Sequence, residues 1–156
     1  MSRQISVKVI NLFDMVSMQT FYTALADRTR RRILNLIREQ EICVCFLTEV
    51  LEISQPKISR HLAYLRNAEI VSARRDGKWM YYSIVEPEDF YAAQILHGTL
   101  DWLKSQERMQ KDYERLTLIC SSPSVPISIN RISKPNVLPR ANMSNERKEE
   151  LDTFLL

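Results

Sequence analysis

The spacing of apolar residues predicts a mainly helical chain that carries one β-hairpin. From Asn11 to Ala26 an imperfect helical stripe runs through a nearly charge-free segment, and a second helix is predicted after Asp27, a good N-cap. Two short helices are predicted next, Cys45 to Leu51 and Gln55 to Asn67, with three residues between them. Because this spacing is that of a helix-turn-helix, the middle of the chain is expected to hold such a unit.

The second of these short helices has the residue types of a DNA-reading element. Ser54 can cap it and Pro56 falls in its first turn, while Ile58, Leu62 and Leu65 form an inward stripe. Gln can pair with adenine edges, Arg with guanine and Ser with bases or phosphates, while Lys mainly contacts the backbone. An ordinary amphipathic surface helix is the alternative. The side chains predicted to contact DNA are Gln55, Lys57, Ser59, Arg60, His61 and Tyr64.

A β-hairpin is predicted directly after this helix. The runs Ile70–Arg75 and Lys78–Ile84 are rich in strand-forming residues, and the Asp-Gly between them is a strong hairpin signal. A hairpin in this position is a wing, whose Arg74, Arg75 and Lys78 would reach phosphates or the minor groove. Trp79 or Tyr81 would pack back onto the helices.

The C-terminal half is predicted to contain one helix of about thirty residues, from about Phe90 to Ile119. This is longer than so small a domain needs, so we expect it to pair with its twin in a homodimer, together with the N-terminal helix. After it, a Pro- and Ser-rich stretch predicts a flexible tail. The predicted organisation is an arm (1–10), one domain (11–120) and the tail (121–156).

Composition and charge narrow the function. The 156 residues are 45% apolar and 26% charged, and two glycines leave no room for a glycine-rich phosphate loop. Eleven Lys/Arg against seven Asp/Glu between Asp27 and Tyr82 make that segment net positive and favour a polyanionic partner. Four arginines lie in the first turns of the helix after Asp27, namely Arg28, Arg30, Arg31 and Arg32. Three roles are open for them: contact with phosphate, a solvated basic face, or ion pairs with acids of a neighbouring helix. No signal peptide or membrane span is visible, so a cytoplasmic protein is expected.

Three cysteines, Cys43, Cys45 and Cys120, are the candidate chemistry. In a reducing cytosol such thiols are more often metal-binding or reactive than disulfide-bonded. Thiolates select soft ions, so Cys43 and Cys45 beside a DNA-reading helix suggest that a bound ion controls DNA binding. Residues two apart on a helix diverge by about 200°, so ion capture is expected to unwind or bend that turn. The distortion would then move the recognition helix or the dimer spacing.

The run from Ala26 to Ile84 resembles the winged-helix repressors of the ArsR/SmtB family, and its E-x-C-V-C-x-L form is similar to that of the arsenical and antimonial sensors. The resemblance implies a winged helix-turn-helix that binds double-stranded operator DNA as a homodimer, with no enzymatic activity and no required cofactor. It also implies release by an inducer, As(III) or Sb(III), bound to Cys43 and Cys45. The pieces that carry it are A-D-R-T-R-R-R-I-L-N-L-I, E-I-C-V-C-F-L-T-E-V-L, S-Q-P-K-I-S-R-H-L-A-Y-L-R-N-A and R-R-D-G-K-W-M-Y-Y-S-I.

The sequence departs from this family pattern in two respects. Thr48 stands where one branch has a third cysteine, so the site is two-coordinate, completed by Cys120, or completed by a small thiol or water. Cys120 is equally well interpreted as a small buried residue. Glu52 and Glu69 replace usual glycines, and since glutamate at positive φ is strained, rearranged turns are expected there.

The sequence also leaves rival functions open. The zinc-sensing branch has ligands on its last helix, where this chain offers only His97, Asp101 and Glu107, and two histidines in all argue against a nitrogen-rich site. A redox or persulfide switch at the same cysteines is the main rival. A small thiol enzyme is a further alternative, but the sequence lacks the motifs that such an enzyme needs. A plain protein-interaction module is another, and it would use the long helix.

Overall fold

A computed structural model of the chain describes residues 12–122, with side chains from Met18 onward. The predicted N-terminal arm and the predicted tail from Pro123 lie outside the described residues. No helix within the described part is both long and apolar enough to cross a membrane. The elements are α1 (Leu12–Ala26), α2 (Arg28–Ile37), β1 (Ile42–Cys43), α3 (Val44–Leu51), α4 (Gln55–Asn67), β2 (Val71–Asp76), β3 (Trp79–Ile84), α5 (Phe90–Ser105) and α6 (Glu107–Ser121).

The predicted fold class, mainly α with a small wing, is confirmed. Helices α3 and α4 form the helix-turn-helix, and the wing hairpin follows α4 as expected. Fully buried side chains from α2, α3 and α4 meet in one core with Ile42, Ile70 and Leu96. Since both short helices bury apolar stripes in this shared core, their relative position is fixed by packing rather than by the turn alone.

The junction between α1 and α2 explains most of the arginine cluster. Asp27 caps α2, accepting from the Arg30 amide at 2.9 Å. The side chains of Arg30 and Arg31 donate to four carbonyls at the end of α1, at 2.6–2.9 Å. These carbonyls have no partner within their helix, so the guanidinium groups complete its C-terminus. This observed role of Arg30 and Arg31 is none of the three that the sequence suggested.

The two glutamates expected to disturb their turns do not do so. Glu52 (φ 55°) and Glu69 (φ 57°) adopt the left-handed conformation that the family's glycines would have, so the expected rearrangement is wrong. At Glu69 the Ile70 amide bonds to the Leu65 carbonyl and the Glu69 amide to the Arg66 carbonyl, which is a Schellman motif. Ile70 and Leu65 are fully buried, so the core holds the chain in this turn.

The wing is a three-stranded sheet rather than an isolated hairpin. Its antiparallel order is β1-β3-β2, so β3 lies between β2 and the two-residue β1. The turn residues are Gly77 and Lys78 rather than Asp76 and Gly77, because Asp76 pairs with Trp79. Gly77 has φ 57°, which fits glycine at the first central position of a two-residue hairpin turn.

The predicted thirty-residue helix is wrong, because the chain breaks at Gln106. This residue is extended (φ −81°, ψ 126°) and separates α5 from α6. The buried positions explain the break: Leu103 and Met109 are six residues apart, which does not return to the same side of a continuous helix. Ending α5 at Ser105 lets both helices bury their apolar stripes.

Helix α6 is tied to α2 by buried polar contacts. Arg32 forms a two-pronged ion pair with Asp112, at 2.6 and 2.8 Å, and both side chains are almost fully buried. Asn35 is also buried and donates to the Met109 carbonyl at 2.9 Å. For Arg32, pairing with an acid on a neighbouring helix is thus the observed role.

Candidate functional site

The two neighbouring cysteines lie at a boundary between strand and helix. Cys43 ends β1 and is the N-cap of α3, with extended backbone (φ −67°, ψ 142°), whereas Cys45 lies in the first turn of the helix. The two thiols lie close enough for Cys43 to raise the pKa of Cys45. Only Cys45 has helical geometry, so the divergence of about 200° between two residues of one helix does not apply to this pair. That ion capture bends this turn stays a prediction.

Burial controls the reactivity of this pair. The Cys43 side chain is 1% exposed and Cys45 is half-buried. The pKa of the Cys45 thiol is raised to about 12, first by burial and then by the charge and hydrogen bond of Cys43. Cys45 is therefore a protonated thiol at neutral pH, and a ligand that binds it must displace the proton.

Thr48 lies close to the pair without being a soft ligand. Its hydroxyl donates to the Cys45 carbonyl at 2.7 Å, and the residue lies about one turn after Cys45 in α3. A residue three positions after Cys45 shares its side of the helix. The position is thus suitable for a third thiolate, but its hydroxyl oxygen is a hard donor.

Cys120 lies near the end of α6, half-buried and packed against the core. Within residues 12–122, no group of three or more His, Cys, Asp or Glu side chains is arranged to hold a metal ion. In one copy of the chain Cys120 therefore does not complete a three-ligand site with the other two cysteines. None of the three cysteines forms a disulfide.

The zinc-type candidates are paired with other side chains. The His97 imidazole Nε2 lies 2.8 Å from Glu86, and Asp101 pairs with Lys104 at 3.2 Å. Glu107 pairs with Lys111, which holds the pKa of its carboxyl below the usual value through their hydrogen bond. These three residues are thus in separate surface pairs, and the sequence interpretation that favoured the cysteines is unaffected.

Helix α4 presents an exposed polar face. Gln55, Lys57, Ser59 and Arg60 are all exposed, and no described side chain forms an ion pair with Lys57 or Arg60. Unneutralised cations on a helix-turn-helix are suited to phosphate. Arg66 is exposed on the last turn of the same helix and was missed, although its charge and position were visible in the sequence.

Two other predicted contacts on α4 have additional partners. His61 is half-buried, with its Nδ1 3.5 Å from Asp27 and without a hydrogen bond. The exposed Tyr64 ring lies 5.1 Å below the Arg30 guanidinium. Both side chains therefore fix α4 against the start of α2, whatever else they contact.

The three basic side chains of the wing differ in whether a carboxylate partner already binds them. Arg74 is held by Glu41 at 2.8–3.3 Å, by Asp76 at 3.4 Å and above the Tyr81 ring at 4.9 Å, and the hydrogen bond to Glu41 raises its pKa. Arg75 donates to the Gly77 carbonyl and Lys78 lies 5.1 Å above the Trp79 ring, both at the exposed turn. Trp79 and Tyr81 pack against the core, as predicted. Within the part of the chain that the structure describes, Arg75 and Lys78 are thus the wing cations without a carboxylate partner.

Comparison with known proteins gives the same family as the sequence pattern. Residues 27–73 match the family model described as "Bacterial regulatory protein, arsR family". The arsenic resistance transcriptional regulator ArsR1 of Pseudomonas putida is 44% identical over 108 residues, covering 69% of this chain and 83% of that protein. The arsenical resistance operon repressor of Escherichia coli is 42% identical over 90 residues, covering 57% and 75%.

Among solved structures, the transcriptional repressor BigR of Xylella fastidiosa is similar, with a TM-score of 0.50 and 27% identity. The match covers 60% of this chain and 89% of that one. HlyU of Vibrio cholerae gives the same TM-score at 26% identity, covering 60% and 97%.

Proposed function

Because the chain belongs to the ArsR family of bacterial regulatory proteins, we propose that it is a transcriptional repressor released from operator DNA by trivalent arsenic or antimony. The relatives named for arsenic resistance support the metalloid as inducer. The observation that carries the proposal is the proximity of the Cys43 and Cys45 thiols at the start of the helix-turn-helix. One ligand would bridge both sulfurs there once the buried Cys43 moves.

The capture step follows from the chemistry of a trivalent metalloid hydroxide. Each thiol forms a sulfur–arsenic bond while one arsenic–oxygen bond breaks, and the thiol proton leaves with the departing hydroxide as water. Two thiols thus release two waters, and no oxidation state changes. The third position on arsenic keeps a hydroxyl, binds a small thiol, or binds Cys120. A second copy of the chain would have to supply this Cys120, because the cysteines of one copy do not form a three-ligand site.

This chemistry also weighs against the redox rival. The thiolate is the form that peroxide attacks, and redox-sensing cysteines have lowered pKa values and solvent access. Here the Cys45 pKa is raised and Cys43 is buried. A metalloid hydroxide brings its own base, so it can react with the protonated Cys45 thiol.

Operator contact is assigned to α4 and the wing. In this proposal Gln55, Ser59 and Arg60 contact base edges in the major groove and Lys57 contacts phosphate, because all four are exposed on α4. Arg75 and Lys78 extend the contact at the wing turn. His61, Tyr64 and Arg74 stay in the predicted set, although each also has a partner within the chain.

A homodimer is supported by an apolar stripe on α5. Tyr91, Ile95, Gly98 and Trp102 follow one another at helical spacing, and Tyr91 and Trp102 are more than half exposed. Among the described residues, a Cβ at Gly98 would meet nothing within 4 Å, so their packing gives no reason for glycine inside this helix. A second copy crossing at Gly98 would supply one. Gly98→Leu should then shift the protein towards monomer in sedimentation, and an unchanged dimer would contradict this crossing.

Fluorescence anisotropy on the DNA upstream of the protein's own gene tests the function. Arsenite or antimonite should lower operator affinity by about 5- to 150-fold, the usual range of allosteric coupling. Cys43→Ser and Cys45→Ser should abolish this response, whereas zinc and peroxide should have little effect. Cys120→Ser is the matched control: a weakened response would make Cys120 the third ligand. Failure of arsenite to release the wild type, or an unchanged response of Cys43→Ser, would refute the proposal.

A further inference from the structure

The pair of cysteines is joined to the wing through the sheet. Cys43 is opposite Tyr81 of β3, and Tyr81 is opposite Arg74 of β2. One row of residues therefore crosses all three strands, from the thiol pair to the outer strand of the wing. Because Cys43 is also the N-cap of α3, one residue belongs both to the sensor and to the sheet.

A second connection closes over the same row. Glu41, directly before β1, holds the Arg74 guanidinium through two bonds, Oε1 to Nε at 3.0 Å and Oε2 to Nη2 at 2.8 Å. The guanidinium also covers the Tyr81 ring, so Arg74 contacts both β3 and the residue directly before β1. As Arg74 is 54% exposed, solvent screens the ion pair. The pair is better suited to hold the position of the wing than to stabilise the fold.

Metalloid capture must disturb this arrangement. Cys43 is 1% exposed, and the space around its sulfur is filled by the core, so a ligand bridging both sulfurs requires Cys43 to move. Its backbone is held to β3 by a strand of only two residues. A displacement of Cys43 is therefore transmitted directly to Tyr81 and to the neighbouring Glu41.

We propose that the cysteine pair controls the position of the wing: metalloid binding separates β1 from β3, breaks the Glu41–Arg74 contact and moves the wing away from the DNA. This inference rests on the proposed function, since it requires the metalloid at Cys43 and Cys45. The recognition helix keeps its packing in this mechanism. Operator affinity falls because Arg75 and Lys78 leave their phosphates.

Hydrogen exchange of the full-length protein with and without arsenite tests the movement directly. Amides of β3, residues 79–84, should exchange faster when arsenite is bound, whereas those of α4, residues 55–67, should not change. Bound arsenite is measured in the same samples. Absence of binding would refute the proposed function, while binding with faster exchange in α4 and none in β3 would overturn the wing mechanism alone.

Glu41→Gln tests the contact. It should leave arsenite affinity within about twofold of the wild type. The coupling factor is the ratio of the operator Kd with arsenite to the Kd without it, usually about 5 to 150. Glu41→Gln should lower this factor by at least about threefold. Asp76→Asn is the matched control, because it removes another carboxylate from Arg74 without touching β1, and its coupling should equal that of the wild type. Equal loss in both variants, or loss in neither, would overturn the inference.

Discussion

Replacing Glu69 by glycine should stabilise the protein, because its backbone is held in a conformation that disfavours a side chain. At φ 57° the Cβ approaches the following carbonyl, which costs an L-residue about 1–2 kcal/mol. Glycine avoids this cost, but it raises the conformational entropy of the unfolded chain, which lowers the free energy of unfolding by about 0.4–1 kcal/mol. The Glu69 side chain is exposed and makes no hydrogen bond or ion pair with the described residues, so nothing else is lost. The two ranges leave an expected net gain of about 0.8 kcal/mol, with limits of about 0 and 1.6 kcal/mol.

Urea unfolding at fixed protein concentration measures this gain, since the stability of the proposed dimer would depend on concentration. The midpoint should rise for Glu69→Gly while the slope stays unchanged. Glu69→Ala is the control, because it removes the carboxylate and keeps the Cβ, and should gain nothing. If alanine stabilised as much as glycine, charge rather than backbone strain would be responsible. Glu52→Gly should gain less, because it also loses the ion pair of Glu52 with Arg115 at 2.8 Å.

Three further outcomes are expected. Thr48→Cys should tighten arsenite binding by supplying a third thiolate one turn after Cys45 in α3, measured by competition with a small dithiol; unchanged affinity would mean that α3 cannot present it. Asp112→Ala should cost about 3–5 kcal/mol in urea unfolding by leaving Arg32 buried and unpaired, and a loss below about 1 kcal/mol would contradict that burial. Since the folded pKa of Cys45 is raised to about 12 from an ordinary value of 9.0, its contribution to stability is complete below pH 9 and disappears as pH rises towards 12. Cys45→Ser should lose less stability over that range, and parallel curves would refute the assignment.

The sequence determined the features that depend on local patterns. Period and caps located α2 at Asp27, α4 at Gln55 and α5 at Phe90, and the Asp-Gly pair located the wing. The cysteine motif and the outward residues of α4 were also visible, because residue type and helical spacing are local properties. The family followed from the same stretches.

Tertiary structure decided which of these features meet. The break at Gln106 depends on where α6 finds a surface to cover, and positive φ at Glu52 and Glu69 depends on a core strong enough to impose it. Strand β1 is too short to leave a periodic signal, yet it brings Cys43 to Tyr81 and Glu41 to Arg74. Contacts between residues far apart in sequence come from packing, and the link from the thiols to the wing is of this kind.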